Sequence, residues 1–251
     1  MRIVVIGGTG LIGSKVVEKL TEHGHEAVVA VPKTGVNTLT GAGLAEVMKG
    51  TDVVVDVSNS PSFEADAVME FFRTSTTNVL AAEAEAGVGH HVALSVVGTE
   101  RLPDSGYFRA KIAQEELIEK SAIPYSLVHA TQFYEFVQAI ADAADDGGTV
   151  RIAPVAFRPM AAEDVAKAVG RTAVGTPLNG RIDIAGPQEY QMDEFFRRAL
   201  KAHSDPRDVV TDPHAKYFGA ELAERTLVPA GDATFGDLTY GDWAGLTPAG
   251  K

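Results

Sequence analysis

The chain has 251 residues, no cysteine, one tryptophan and a formal net charge of −12, which fits one α/β domain with a small appended lobe and excludes disulfides, a thiol nucleophile and a thiolate metal site. The acidic balance argues against nucleic acid, which is gripped mainly through Lys and Arg, and no apolar run reaches the roughly 18 residues of a membrane span. The expectation is a cytoplasmic protein that acts on a small molecule, away from membranes and nucleic acid; its oligomeric state is not legible.

The first element is the β-branched run Ile3 to Ile6, long enough for a strand buried on both faces of a parallel sheet. It ends at Gly7 and feeds directly into folded sequence, unlike a signal peptide. Gly7, Gly10 and Gly13 follow at three-residue spacing, and Ile12, Val16 and Leu20 then mark one face of a helix. Strand, glycine turn and helix together read as a dinucleotide site: a tight turn at Gly7, close approach of a pyrophosphate at Gly10, close helix–strand packing at Gly13. The cofactor-binding stretch is Gly7, Thr9, Gly10, Leu11, Ile12 and Gly13, where N–H groups at a helix start meet phosphate charge.

Written out, Gly7-Gly-Thr-Gly-Leu-Ile-Gly13 resembles the short-chain dehydrogenase/reductase superfamily, and more closely its NmrA-like, atypical branch. The resemblance implies a Rossmann fold, a doubly wound parallel sheet with a small C-terminal substrate lobe. Residues 1–130 would form the dinucleotide-binding core and 131–251 the substrate region, with 181–187 returning to the sheet.

The second strand is expected at Ala27 to Val31, ending at Pro32 and Lys33. An acid near this point would take the ribose 2′-hydroxyl of NAD, whereas a basic residue accommodates the 2′-phosphate of NADP. Lys33 is here and no acid is, so NADP is favoured and NAD is the alternative. The family's usual third strand is not legible in residues 35–50. The run from Asp52 to Val57 is a strand, with Ser58 and Asn59 at its carboxyl end, where open α/β sheets place their ligands.

A long helix should run from about Phe63 to Ala86 and carry Asn78; the resemblance attaches a relay role to it, whereas a polar residue on a helix face is more often simply solvated. The strand His91 to Ser95 follows; adjacent His90 and His91 would face opposite sides of the sheet, which argues against a metal pair. No metal site is expected. Flanked by Leu94 and Val96, Ser95 does not sit on a serine-hydrolase elbow. Tyr107 and Lys111 are four apart on a helix and share a face. With Ser95 upstream they match the superfamily's Ser/Tyr/Lys triad. The resemblance makes Tyr107 the proton donor and Ser95 the hydrogen-bond donor to the substrate oxygen. It has Lys111 lower the phenol's pKa while holding the nicotinamide ribose.

Beyond the strand Tyr125 to His129, the family places its nicotinamide and substrate contacts. Phe133, Phe136, Val137, Ile140 and Ala144 fall at helical spacing and read mainly as core, so Gln132 and Tyr134, off that stripe, become the candidates to face a ligand, with Phe133 beside them. His129 reads as a satisfied strand-end histidine, and the role of residues 205–251 is not legible. The leading expectation is an NADP-dependent oxidoreductase moving hydride between nicotinamide and an aromatic or apolar carbonyl or quinone-like compound. The alternatives are a tailoring monooxygenase of an aromatic polyketide pathway and a non-catalytic NmrA-like dinucleotide sensor.

Overall fold

In the computed structural model, which describes residues 1–246, the first apolar run is β1 (Arg2–Ile6), with Ile3, Val4 and Val5 fully buried. The glycine turn leads into α1 (Leu11–Glu22), and the chain returns as β2 (Glu26–Ala30), one residue earlier than the sequence suggests. No strand forms between residues 35 and 50: Gly41 and Gly43 take left-handed conformations that no β-ladder accepts, and the stretch ends in a single helical turn, α2 (Leu44–Val47). Then come β3 (Val53–Asp56), α3 (Ala65–Ala86), β4 (His90–Val96), α4 (Gly106–Glu119) and β5 (Tyr125–Ala130).

The chain continues through α5 (Val137–Ala143), β6 (Thr149–Ile152), β7 (Ala156–Phe157), α6 (Ala162–Val174) and β8 (Gly180–Ala185). After these come β9 (Tyr190–Gln191), α7 (Met192–Ala202), β10 (Asp208–Thr211), β11 (Lys216–Tyr217), β12 (Ala220–Glu221), β13 (Thr234–Phe235) and α8 (Tyr240–Leu246). Seven strands make one sheet in the order β2-β1-β3-β4-β5-β8-β13, every neighbouring pair parallel. From β1 the chain goes first to β2 on one side and then to β3 on the other. That reversal opens a crevice at the carboxyl ends of β1 and β3, where such sheets bind ligands.

The two faces are covered differently. On one, Ile12, Val16 and Leu20 of α1 meet Val165, Val169 and Ala173 of α6, so a helix from the second half of the chain completes the first. On the other lie α3 and α4, with Val68, Phe72 and Ala110 buried between them. The C-terminal residues, joined by Phe108 of α4, build a second, aromatic core from Tyr134, Phe157, Phe195, Phe196 and Tyr240. Truncating any of the buried Phe to Ala would cost about 3–5 kcal/mol. The two cores are tied at Glu135: its carboxylate accepts the Ala162 N–H at the start of α6, at 3.1 Å, and the Trp243 indole N–H, at 3.0 Å. Among the described residues no helix is long and apolar enough to cross a membrane.

Candidate active site

Close backbone packing builds the nucleotide end of the crevice. Gly7 has φ +78°, and a Cβ there would lie 3.0 Å from Ser58 Cα, so the turn after β1 sits directly on the turn after β3. A Cβ on Gly13 would lie 2.2 Å from the Gly7 carbonyl oxygen, which leaves room only for hydrogen. The helix α1 starts at Gly10 with no side-chain cap and no acid in its first turn. The N–H groups of Leu11, Ile12 and Gly13 therefore have no intrahelical acceptor. Backbone donors, no obstructing side chain and no opposing carboxylate fit the pyrophosphate of a dinucleotide. Thr9 is exposed beside this turn, and Lys33 lies exposed in the 3-10 turn Pro32–Thr34 after β2, without an ion-pair partner among the described residues.

Side chains take over at the end of β3. Asp56 Oδ1 accepts from the Ser58 backbone N–H at 2.9 Å and its hydroxyl at 2.6 Å. The Asn59 side-chain oxygen accepts from Ser60 N–H at 3.0 Å and from the Tyr107 hydroxyl at 3.3 Å. The other Asp56 oxygen accepts from the Gln114 amide at 3.2 Å, and the Gln114 carbonyl accepts in turn from Lys111. The Lys111 ammonium also donates to the Leu94 carbonyl at 2.9 Å and lies 4.5 Å from the Phe72 ring centre. A polar chain thus runs from the crevice through Asp56 and Gln114 to a lysine that is 2% exposed. Sequence reasoning missed Gln114, although its spacing from Lys111 puts both on one face of α4.

The electrostatics correct one expectation. Burial lowers Lys111 to about 8, against the pull of Asp56 and Glu115, and burial pushes the Tyr107 phenol up to about 12. Lys111 does not depress the phenol as the triad picture requires, because its ammonium is turned toward Leu94 and Gln114. The Ser95 hydroxyl is also directed elsewhere, donating to Glu115 rather than to Tyr107. Ser95, His129 and Asp183 are in register on β4, β5 and β8. His129 lies between carboxylates, Nε2 at 3.4 Å from Glu115 and Nδ1 at 3.9 Å from Asp183. Burial disfavours the Glu115 carboxylate, but the nearby His129, the hydrogen bond from Ser95 and the Lys111 charge hold its pKa below the usual value. So α4 brings Tyr107 to the crevice and buries Lys111 behind it, while Ser95 joins a separate buried network.

His90 and His91 do face opposite ways. His90 Nε2 meets the Ser126 hydroxyl at 2.9 Å, and burial, with His91 nearby, lowers it to about 4. His91 Nδ1 meets Glu83 at 2.7 Å; burial opposes its cation, but Glu83 and Asp56 raise its pKa overall. Asn78 is neither a relay nor merely solvated: its amide donates to the Thr38 and Leu39 carbonyls at 2.8 and 3.1 Å and pins the loop that replaces the third strand.

On the substrate side, Tyr134 is a correction. It is 1% exposed, its hydroxyl donates to the Leu238 carbonyl at 3.2 Å, and Phe195, Tyr240 and Trp243 surround its ring. Residues 134–136 form a 3-10 turn, so the α-helical wheel does not apply there, and Phe136, placed on the buried stripe, is 43% exposed. Phe133 is half-buried, packed on the sheet's core and stacked on Phe136 at 5.3 Å. Gln132 is buried, and among the described residues neither amide atom has a hydrogen bond of ordinary geometry, although it lies close enough to the Tyr217 hydroxyl to affect it. Around the half-buried Tyr107 stand two aromatics the sequence did not flag, Phe63 and Phe218, with ring centres 5.6 and 6.3 Å from its own.

Comparison with known proteins agrees with this geometry. A curated relative, the photosystem II assembly factor Ycf39 of Synechocystis, is 22% identical over 186 residues, covering 66% of this chain and 56% of that protein, so the chain spans little more than half the relative's length. Among solved structures, the dTDP-glucose 4,6-dehydratase DesIV of Streptomyces venezuelae superposes with a TM-score of 0.73 at 17% identity, over 96% of this chain and 94% of the other. The UDP-glucose 4-epimerase of Thermus thermophilus gives 0.69 at 18%, over 90% and 92%. An NADPH-dependent quinone oxidoreductase of Escherichia coli gives 0.66 at 20%, over 85% and 79%. At these identities the structures speak for the fold alone. A family model described as NAD(P)H-binding matches residues 7–173, well over half of the chain. The chain accordingly belongs to the NAD(P)H-binding family, in the atypical, NmrA-like branch of the short-chain dehydrogenase/reductase fold.

Proposed function

We propose that the protein is an NADPH-dependent reductase of a carbonyl or quinone-like compound with an apolar or aromatic body. The observation that carries this reading is the position of Tyr107: a phenol hydrogen-bonded to Asn59, on the loop that borders the nucleotide crevice, one helical turn from a buried lysine. Gly7, Thr9, Gly10, Leu11, Ile12 and Gly13 would hold the dinucleotide with Ser58 and Asn59, and a reduced nicotinamide bound there supplies hydride. Tyr107 gives a proton to the carbonyl oxygen as charge develops on it. A phenol that stays protonated up to about 12 suits donation, hence reduction, better than the reverse reaction, which needs a phenolate. Lys111, protonated below about 8, keeps a positive charge buried one helical turn from the phenol. Lys33, with no acid beside it, favours the 2′-phosphate of NADP.

With a carbonyl substrate, deuterium placed at both 4-positions of NADPH should appear at the carbinol carbon of the alcohol formed, and calorimetry should find NADPH bound more tightly than NADH. An alcohol without deuterium at that carbon sinks hydride transfer; equal affinities remove any role for Lys33. One observation favours a second reading, a non-catalytic dinucleotide sensor: the Ser95 hydroxyl is engaged by Glu115 and not by Tyr107. A protein that binds NADPH and oxidises it with no carbonyl or quinone would be that sensor.

A further inference from the structure

The hairpin β11–β12 carries an aromatic ring where a turn residue belongs. Tyr217 pairs with Ala220, so Phe218 and Gly219 are the two turn residues, with φ +46° and +87°. This is the left-handed pair of a type I′ turn, normally Asn-Gly, Asp-Gly or Gly-Gly. A bulky residue at positive φ is strained, and such strain persists only where surrounding contacts impose it. Here the contacts are aromatic. Phe218 packs edge-on against Tyr217 at 4.7 Å and meets Phe63 at 5.8 Å and Tyr107 at 6.3 Å.

Phe63 and Phe218 are 55% and 40% exposed, unusual for two phenylalanines that touch each other and a phenol in the crevice. Phe218 also borders a cavity of about 200 Å³ lined by Ile140, Met192 and Leu222 among others, so the turn separates that cavity from Phe63 and Tyr107. Next to Tyr217 lies the buried Gln132 amide, which influences the Tyr217 hydroxyl but has no hydrogen bond of ordinary geometry among the described residues. A buried amide left so is costly, and a ligand oxygen accepting from its N–H would remove part of that cost.

We propose that Phe63 and Phe218 form a ring-binding subsite over Tyr107, selecting substrates whose carbonyl belongs to, or is attached to, a planar aromatic or quinonoid ring, with Gln132 bonding an oxygen on that ring. This rests on Tyr107 being the proton donor. Two aromatic faces favour a flat ring through offset or edge contacts beyond simple burial of area, which a saturated ring of the same size does not gain. The strained turn fixes the aim of Phe218. Its ring partners come from the β3–α3 loop and from α4, so the aromatic cluster is assembled from three distant stretches of chain.

The test compares 2-naphthol with decahydro-2-naphthol, which share a hydroxyl and a bicyclic outline but differ in flatness, by calorimetry on the full chain. The wild type should bind the naphthol about tenfold more tightly, even though the saturated alcohol is the more hydrophobic of the two. Phe63→Leu and Phe218→Asn should each remove most of that preference, while Phe218→Tyr keeps it. Asn suits a left-handed turn, so Phe218→Asn should melt no lower than the wild type, and its loss of binding would not be misfolding. Equal affinity for the two alcohols, no binding of the naphthol, or a preference that survives both substitutions would overturn the subsite. Turnover does not enter this measurement, so failure to reduce any carbonyl would sink the proposed reaction and leave the subsite to be judged on binding alone.

Discussion

At the end of β1 the crevice is made of backbone: N–H groups at the start of α1, a left-handed glycine, and a space at Gly13 that admits no carbon. At the end of β3 and along α4 it is made of side chains, with Asp56, Gln114 and Lys111 hydrogen-bonded in series and Tyr107 reaching Asn59. The first region works because atoms are missing, the second because specific atoms are present. They should therefore fail in opposite ways, one when atoms are added and the other when they are taken away.

The largest effect is expected from adding. In Gly13→Val the new Cβ would fall 2.2 Å from the Gly7 carbonyl, forcing β1 and α1 apart. NADPH affinity measured by calorimetry should drop about 100-fold or more, as expected of overpacking at a rigid contact. A variant that binds normally would show the turn to be pliable and the contrast false. The next effect comes from taking away one oxygen. Tyr107→Phe should lower kcat by about 10²–10⁴-fold with NADPH affinity unchanged, because only the proton donor is lost. Activity close to wild type would remove Tyr107 from the chemistry.

These regions were not equally legible. The glycine spacing, the β-branched strands and the absence of a third strand are local patterns, and β1, β3, β4 and β5 formed within a residue or two of where the pattern put them. The triad's residues were legible by spacing, but the direction in which Lys111 points is not a property of spacing. It depends on whether Leu94 and Gln114 offer better acceptors in a dry interior than the phenol does. Tyr134 was misread because a helical wheel was applied to a 3-10 turn. Phe63 and Phe218 come from loops far apart in the chain and carry no shared periodicity, so only the fold could bring them together.

A smaller effect should come from Gln114→Leu, which removes an acceptor from Lys111 and a donor from Asp56 while filling similar space. In the wild type Lys111 loses its proton near pH 8, so kcat/KM should decline above that value. In the variant that limb should move to lower pH, with about tenfold lower activity at pH 8; an unmoved limb would mean that Gln114 does not position the lysine. The sign for stability is the reverse. The unfolded chain holds this proton up to the ordinary lysine value of 10.5, whereas the folded chain releases it near 8. In that window the unfolded state binds more protons, so Lys111's contribution to stability rises with pH, is smallest below about 8, and is fully regained near 10.5. Urea titrations of the wild type and Lys111→Met would separate it from other groups.

The smallest effect should be seen at Asn78→Ala, which frees the loop at Thr38 and Leu39 by removing two side-chain donations. The cost should be about 1 kcal/mol or slightly more, a fall of a few degrees in Tm. NADPH affinity should change less than twofold, since the loop borders the crevice without building it. A large loss of affinity would mean that side chains matter at the nucleotide end too.

The tie at Glu135 gives the protein a built-in optical gauge. Trp243 is the chain's single tryptophan, and its indole donates to the carboxylate that also receives the first N–H of α6. Any event that loosens α8 from the lobe moves the only strong fluorophore away from Tyr134 and from that carboxylate. Its emission should then shift to the red and lose intensity. Steady-state spectra can therefore follow the lobe by itself, without labels. A heating or denaturant curve read through this indole should part from one read through far-UV circular dichroism whenever the aromatic half lets go before the parallel sheet.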